Sequence, residues 1–229
     1  MTLCLFAAFM GDAFGQSQSE KPKISDIRRI YVQDQRDRGV SLSDPGEPVK
    51  PPADEKPHPS LDAATQMAHD AARREQVRAL MASGGLTTAQ DFHDAAFVFQ
   101  HGDKPDDYLL AHILAVEAIA KGDSNSVWIS AATLDRYLQN IGQKQVFGTQ
   151  FLNNWWAYYL QHKKDSDLDA KLKTVSMDVS TQEPYDQDLL SDAMREVFCV
   201  PSLASQKQQV DDLNHDKPSR PTPVKGCHR

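Results

Sequence analysis

Three glycines divide the middle of this chain into segments of equal length. Gly102, Gly122 and Gly142 follow one another at intervals of 20 residues, and each ends a stretch in which apolar residues recur at helical spacing. Because only short connections remain between these stretches, consecutive helices have to run antiparallel. The glycine spacing therefore predicts a mainly α fold, built as an array of antiparallel helical hairpins.

Helix signals also cover much of the remaining chain. Together they predict helices over residues 23–39, 61–85, 87–102, 103–122, 123–142 and 183–198. After residue 151 the pattern changes, because the stretches NNWWAYYLQ and AKLKTVSMDVS are aromatic or alternating, which favours a short β-hairpin. We therefore expect the helical-hairpin array to carry a candidate short β-hairpin and a final helix near the C-terminus.

The ends of the chain and one internal segment differ in composition from the helical region. Residues 1–15 resemble a signal peptide, with small residues before a cleavage point at Gln16. Residues 16–43 hold the N-terminal helix of the domain, 44–60 a proline-rich loop, 61–204 the helical domain, and 205–229 a polar tail expected to be disordered. We therefore expect a periplasmic or secreted protein, with no membrane span after signal removal.

Two cysteines lie beyond the expected signal peptide. Removal of residues 1–15 takes Cys4 away and leaves Cys199 and Cys227. In an oxidising compartment an even pair is a candidate disulfide, and two unpaired thiols are the alternative. The sequence therefore predicts a bridge between Cys199 and Cys227.

Several classes of function have no support in the sequence. HExxH, a Walker loop, GxSxG, GxGxxG and a zinc-binding cysteine cluster are all missing from it. His93, His101 and His112 lie on successive predicted helices, but spacings of 8 and 11 residues do not specify a metal site. The net charge of −7 is the opposite of the basic surface that binds nucleic acid. We predict no metal, no cofactor and no nucleic-acid partner.

Polar residues near helix ends are the candidates for a site. Gln100 and His101 end an apolar helix, so His101 is either an acid–base group at the rim of a pocket or a histidine whose cation the helix dipole favours. Asp135 and Arg136 are neighbours on a helix and point about 100° apart, so each needs a partner elsewhere. Arg136 is a good anion ligand if it faces inward, and an exposed pair is the alternative.

The stretch KQVFGTQF (144–151), which we call the GTQ turn, follows the last hairpin helix. Gly148 permits a backbone φ above zero or a close approach to a neighbour. Thr149 and Gln150 can satisfy backbone groups left open at helix ends. With Gln145 they predict a hydrogen-bonding lining that contains no serine or cysteine nucleophile. This composition favours binding or a structural polar network over covalent catalysis.

The motifs DQxxR, AAFVFQH, LDRxL and QxxGTQ occur here in chain order. In this order they resemble an uncharacterised bacterial domain family, whose members carry DQ…R, QHAD, L.DR and Q.YGTQ, and the resemblance spans roughly residues 26–200. It implies a shared site but no established activity. Phe147 stands where that family commonly has tyrosine, and the proline-rich segment separates the first motif from the rest. The motif positions are Asp34, Gln35, Arg38, Gln100, His101, Asp135, Arg136, Gln145, Gly148, Thr149 and Gln150.

Three functions remain open from the sequence. The first is an exported binding or interaction module that recognises a small polar ligand or a peptide through Arg38, Arg136 and the glutamines. The second is a hydrolase-like enzyme in which His101 is the general acid or base and Asp34 or Asp135 orients it. The third is a purely structural polar network. A carboxylate within hydrogen-bond reach of His101 in an open cleft would favour the hydrolase-like enzyme. Packing of His101 in a closed core would count against it.

Overall fold

The computed structural model describes residues 25–40, 61–217, 224, 225 and 227, and this part of the chain is mainly helical. The predicted fold class is confirmed, with helices joined to one short two-stranded antiparallel sheet and a helix near the C-terminus. In order, the elements are α1 (Asp26–Asp37), α2 (Ala63–Ala82), α3 (Ala89–Phe99), α4 (Pro105–Ala120), α5 (Ser126–Asn140), β1 (Leu152–Asn153), α6 (Asn154–His162), α7 (Leu168–Leu172), β2 (Ser180–Thr181), α8 (Asp192–Val197) and α9 (Leu203–Asn214).

Side chains at the helix starts explain where several helices begin. The Ser25 side chain accepts a hydrogen bond from the backbone nitrogen of Arg28 at the start of α1. Pro105 occupies the first turn of α4, where its missing N–H costs nothing. Thr88 caps α3, and Asp91 completes a capping box by accepting from the Thr88 backbone. Each of these helices begins where a local residue suits its open end.

Helices α3, α4 and α5 form the centre of the molecule. Helix α4 packs along both α3 and α5, and α1 packs on α3. The short connections 100–104 and 121–125 make neighbouring helices antiparallel, so α3 and α5 run in the same direction. Small buried residues in these helices allow the close approach. The main core consists of Ile27, Ile30, Val77, Leu86, Ala95, Ala96, Val98, Phe99, Ala111, Leu114, Ala115 and Ile129.

The two strands do not form the predicted β-hairpin, because α6 and α7 lie between β1 and β2 in the chain. Leu152 of β1 pairs with Thr181 of β2, and the aromatic stretch that we expected to be a strand is helix α6. The Asn153 side chain caps this helix by accepting from the backbone nitrogen of Trp156 at 2.7 Å. Ala157 and Leu160, three residues apart, are its buried positions. The cap and this helical spacing outweigh the strand preference of the aromatic residues.

The C-terminal region also differs from the prediction. Of the helix expected over residues 183–198, only α8 is helical. Residues 205–214, the first part of the stretch expected to be a disordered tail, lie in helix α9, which Ser202 caps by accepting from the backbone nitrogen of Ser205. Gln206 of α9 is only 1% exposed. The buried residue of α9 is therefore a polar one.

Two predicted segments, the signal peptide over residues 1–15 and the proline-rich loop over residues 44–60, lie outside the described residues. Within the described ranges, none of the helices combines the length and the apolar character that crossing a bilayer demands.

Candidate functional site

Helices α3 and α5 bring two motifs to the same end of the helical array. Because the two helices run in the same direction, their C-terminal ends lie together. Gln100 and His101 follow α3 at this end, and Arg136 lies near the end of α5. Arg136 Nη1 donates a hydrogen bond to the backbone oxygen of Gln100 at 2.6 Å. This contact joins the QH and LDR motifs directly.

Asp135 holds the GTQ turn through both of its carboxylate oxygens. Oδ1 accepts from the backbone nitrogens of Val146 and Phe147 at 2.8 and 3.0 Å. Oδ2 accepts from the backbone nitrogen of Thr149 at 2.9 Å and from its hydroxyl at 2.8 Å. Burial raises the pKa of the Asp135 carboxyl, and the hydrogen bonds that it accepts act in the opposite direction. Asp135 therefore shapes the turn.

Buried glutamines satisfy further backbone groups of the GTQ turn. Gln145 Oε1 accepts from the backbone nitrogen of Gln150 at 3.0 Å, and its Nε2 donates to the backbone oxygens of Gln150 and Gln182. Gln182 Nε2 donates in turn to the backbone oxygen of Gly148. Gln206 Nε2, from α9, donates to another backbone oxygen of the turn at 3.0 Å. The turn is thus tied to the C-terminal half of the chain.

Gly148 is required by both the shape and the surroundings of the turn. Its φ of +78° lies in the left-handed region that side chains with a Cβ rarely adopt. A Cβ built at this position would lie 2.0 Å from Gln206 Oε1 and 2.7 Å from the ring of Tyr185. Only glycine allows α9 and Tyr185 to pack this closely on the turn.

Gln150 connects the GTQ turn to Arg136. Its Oε1 accepts from Arg136 Nε at 2.8 Å, and its Nε2 donates to the Thr149 hydroxyl and to the α5 backbone. With the contact to the Gln100 backbone, two hydrogen bonds fix the Arg136 guanidinium in place. The orientation of Arg136 therefore depends on the turn.

Asp34 and His101 form a dyad between α1 and the end of α3. His101 Nδ1 lies 3.1 Å from Asp34 Oδ2. Because an ionised carboxylate only accepts hydrogen bonds, Nδ1 carries the hydrogen and Nε2 of the neutral ring has the free lone pair. The His101 side chain is 16% exposed, whereas that of Asp34 is fully buried.

Burial of His101 favours its neutral form. Burial lowers the pKa of His101 below the ordinary 6.5, while the hydrogen bond and charge of Asp34 act to raise it. The positive charges of Arg38 and Arg136 lower the pKa further. His101 is therefore neutral at neutral pH, and Nε2 is free to accept a hydrogen bond or a proton.

The ion pair of Asp34 and Arg38, four residues apart in the chain, is shielded from solvent, since the Asp34 side chain is fully buried and that of Arg38 is 17% exposed. Arg38 Nη1 binds Asp34 Oδ1 at 2.9 Å, and Nη2 binds Asp70 Oδ2 of α2 at 2.7 Å. Gln35 Nε2 donates to Asp34 Oδ2 at 2.9 Å. Arg73 binds the other oxygen of Asp70 at 3.0 Å. Helix α2 covers this side of α1, and that packing could not be inferred from the spacing within α1.

The predicted site residues form one connected set of contacts. Gln35, Arg38 and His101 all contact Asp34, and Gln100, the neighbour of His101, is linked through Arg136 to Gln150 of the GTQ turn. The sequence analysis did not identify the residues that complete this set, which are Asp70, Arg73, Gln182 and Gln206. For one of them a signal existed, because Leu203, Gln206 and Val210 share one face of a helix.

The three histidines considered for a metal site lie in separate places. His93 Nδ1 contacts Ser126 Oγ at 2.9 Å and Asp123 Oδ2 at 3.0 Å, while His112 Nδ1 lies 2.9 Å from the Ser130 backbone oxygen. In the described part of the chain, no group of three His, Cys, Asp or Glu side chains is arranged to hold a metal ion.

Cys199 and Cys227 are joined by a disulfide in the structure. The two residues are 28 positions apart, and Cys199 lies between α8 and α9. The bridge therefore fastens residue 227 to the region that packs behind the GTQ turn.

Comparison with known proteins gives no relative. No family model, no curated protein and no solved structure matches the chain. The resemblance of the four motifs to a bacterial domain family stays a prediction, and the proposals below rest on the geometry of the chain.

Proposed function

We propose that this chain is an exported binding module that recognises a small polar ligand or a peptide through His101 and Arg136. One observation supports this proposal most directly. Both side chains are fixed by the networks around them, yet each has hydrogen-bonding atoms that the protein does not use. Within the described part of the chain, the His101 side chain binds through Nδ1 alone and the Arg136 side chain through Nε and Nη1 alone.

The unused atoms of these two side chains are not fully enclosed. Among the described residues, the buried side-chain nitrogen and oxygen atoms without a partner are Asp94 Oδ2 and Gln139 Nε2. His101 Nε2 and Arg136 Nη2 have no partner there and are not in this buried group. The proposal is that a ligand contacts the part of their surface that the protein leaves uncovered.

The other motif residues have supporting roles in this proposal. Asp34 orients His101, and Arg38 holds Asp34 against α2. Asp135 and Gln145 use their side-chain oxygens on the GTQ turn, which positions Gln150 against Arg136. Rigid support of this kind lowers the entropy cost of binding.

A hydrolase-like function is the second candidate, and the dyad is the observation that favours it. A carboxylate on Nδ1 and an accessible Nε2 are the arrangement of a general base. The orienting group would be Asp34, because both oxygens of Asp135 bind the turn. A purely structural network is the third candidate, supported by the buried contacts of Asp135 and the glutamines.

Two features support export. Residues 1–15 have the pattern of a signal peptide, and disulfides such as Cys199–Cys227 persist in oxidising compartments. N-terminal sequencing of protein from the periplasm or medium of the native host should therefore begin near Gln16. Cytoplasmic protein with an intact Met1 would contradict export.

Thermal melting against a library of metabolites and short peptides tests the binding function. We expect at least one compound to raise the melting temperature of the wild type, because a ligand stabilises the state that binds it. The variant His101→Gln should lose this shift. The control is His69→Gln, which removes another histidine bound to a carboxylate, at a position where the side chain is 50% exposed.

The outcomes separate the three candidates. A shift that persists in His101→Gln would place binding elsewhere and contradict the proposal. Turnover of the compound by the wild type, abolished in His101→Gln while binding remains, would favour the hydrolase-like function. If no compound shifts the wild type, only the structural network is left.

A further inference from the structure

Arg136 differs from other arginines of the described chain in the charge of its partners. It binds only two neutral oxygens, Gln150 Oε1 and the backbone oxygen of Gln100. No aspartate or glutamate among the described residues forms an ion pair with it. A carboxylate partner is present for Arg28, Arg29, Arg38, Arg73, Arg74, Arg78 and Arg195.

The carboxylates of Asp135 and Asp34, which belong to the same connected set as Arg136, are already engaged. Asp135, the neighbour of Arg136 in the sequence, points to the GTQ turn and accepts four hydrogen bonds there. Asp34 binds Arg38 and His101. The positive charge of Arg136 is therefore left without a counter-charge from its surroundings.

This charge lies in an unfavourable environment. Burial lowers the pKa of the Arg136 guanidinium, the Tyr108 hydroxyl acts to raise it, and the positive Arg38 lowers it further. A partly buried cation without a partner has lost hydration that neutral oxygens replace only in part. An anionic group placed next to Arg136 would compensate for the lost hydration of the guanidinium.

We propose that the ligand of this site carries an anionic oxygen group, a carboxylate or a phosphate, and that Arg136 binds this group beside His101. The inference rests on the proposed binding function and specifies its ligand class. Arg136 Nε donates its single hydrogen to Gln150, and Nη1 donates one of its two hydrogens to the Gln100 backbone, so the anion binds at Nη2 and the remaining Nη1 hydrogen. Two parallel N–H donors at this edge of the guanidinium match two oxygens of a carboxylate or phosphate.

Acetate, inorganic phosphate and acetamide are the probes that test this inference. The Arg136 Nε–H signal, assigned by NMR in the wild type, is followed during titration with each probe at constant pH and ionic strength. We expect a saturable shift with acetate or with phosphate, and the stronger of the two identifies the class of anion. Acetamide has the size of acetate without its charge and should give no shift.

Variants check that the anion binds at this position. Arg136→Gln should abolish binding, and Arg136→Lys should weaken it by about ten- to a hundred-fold, because one lysine cannot replace the paired donors. The control is Arg29→Gln, which removes the same charge from an exposed position on α1. The wild-type titration stands alone if a variant does not fold.

Failure of the inference can be told apart from failure of the proposed function. If acetate and phosphate leave the Arg136 signal unchanged while a neutral compound from the library shifts it, the site binds a neutral ligand and the anionic class is wrong. If neither an anion nor any library compound shifts it, both proposals are wrong. An equal anion affinity in wild type and Arg136→Gln would also overturn the inference.

Discussion

Asp94 on α3 is a buried carboxyl group whose ionisation should affect the stability of this fold. Asp94 has no solvent-exposed surface. Oδ1 accepts from Arg28 Nη1 at 3.0 Å and from Gln90 Nε2 at 2.8 Å, while the buried Oδ2 has no partner in the described chain. Burial raises the pKa of Asp94 from 3.8 to about 6, although the charge of Arg28 and both hydrogen bonds oppose the change.

The raised pKa sets both the direction and the size of the effect. Between pH 3.8 and about pH 6, the Asp94 carboxyl keeps its proton in the folded protein and loses it in the unfolded chain. The stability that this proton contributes is fully present below the pKa of the unfolded chain. It is lost as the pH rises through the pKa of the folded protein. At about 1.4 kcal/mol per pH unit, the free energy of unfolding falls by about 3 kcal/mol across this interval.

The variant Asp94→Asn should remove this pH dependence, because an amide does not titrate. Urea unfolding of wild type and variant at a series of pH values measures the difference between their free energies of unfolding. We expect the wild type to lose about 3 kcal/mol relative to the variant as the pH rises, which corresponds to about 6–12 °C in melting temperature. A constant cost of the substitution cancels in this comparison.

The exposed Asp26 provides the control, since Asp26→Asn removes a carboxylate whose side chain is 69% exposed. The free energy of unfolding of Asp26→Asn should change with pH in the same way as that of the wild type. Parallel pH profiles for wild type and Asp94→Asn would refute the reasoning, because they would mean that Asp94 ionises as readily in the folded as in the unfolded protein.

Two further predictions concern the GTQ turn and the disulfide. Gly148→Ala should lower the free energy of unfolding by about 3–5 kcal/mol, since the new Cβ meets a buried glutamine oxygen at a φ of +78°. Gly84→Ala, at a φ of +71° with no atom within 4 Å, should cost only about 1–2 kcal/mol in the same urea experiment, and equal losses would contradict the packing argument. Cys199→Ser should cost about 3–4 kcal/mol, because Cys227 closes a loop of 28 residues in the unfolded chain; an unchanged urea midpoint would show that the bridge adds no stability.

The helices that could be predicted are those whose signals are local. The glycine spacing and apolar periodicity of residues 87–142 correspond to α3, α4 and α5. The errors lie where tertiary contacts decide the structure. The aromatic residues of α6 favour strands when each is considered alone, and the buried residue of α9 is a glutamine, so residue preferences pointed away from a packed helix in both segments.

The candidate site shows the same division. Its polar residues could be found in the sequence because glycine, glutamine and charged residues at helix ends are unusual in combination. The role of each residue could not be inferred, since it depends on which of its side-chain atoms are hydrogen-bonded within the protein. Asp135 and Arg136 are adjacent and both charged, yet both oxygens of one are consumed by a turn while the other keeps Nη2 free. Only the three-dimensional contacts distinguish them.

The contact of α9 with the GTQ turn determines when this part of the molecule is completed during synthesis. The donor from Gln206 and its acceptor in Phe147 are 59 residues apart. At about 5–20 residues per second, a ribosome adds Gln206 roughly 3–12 seconds after Phe147. The helices α3, α4 and α5 precede the turn in the chain, so they are synthesised before it. The contact between the turn and α9 can form only after Gln206 has been added.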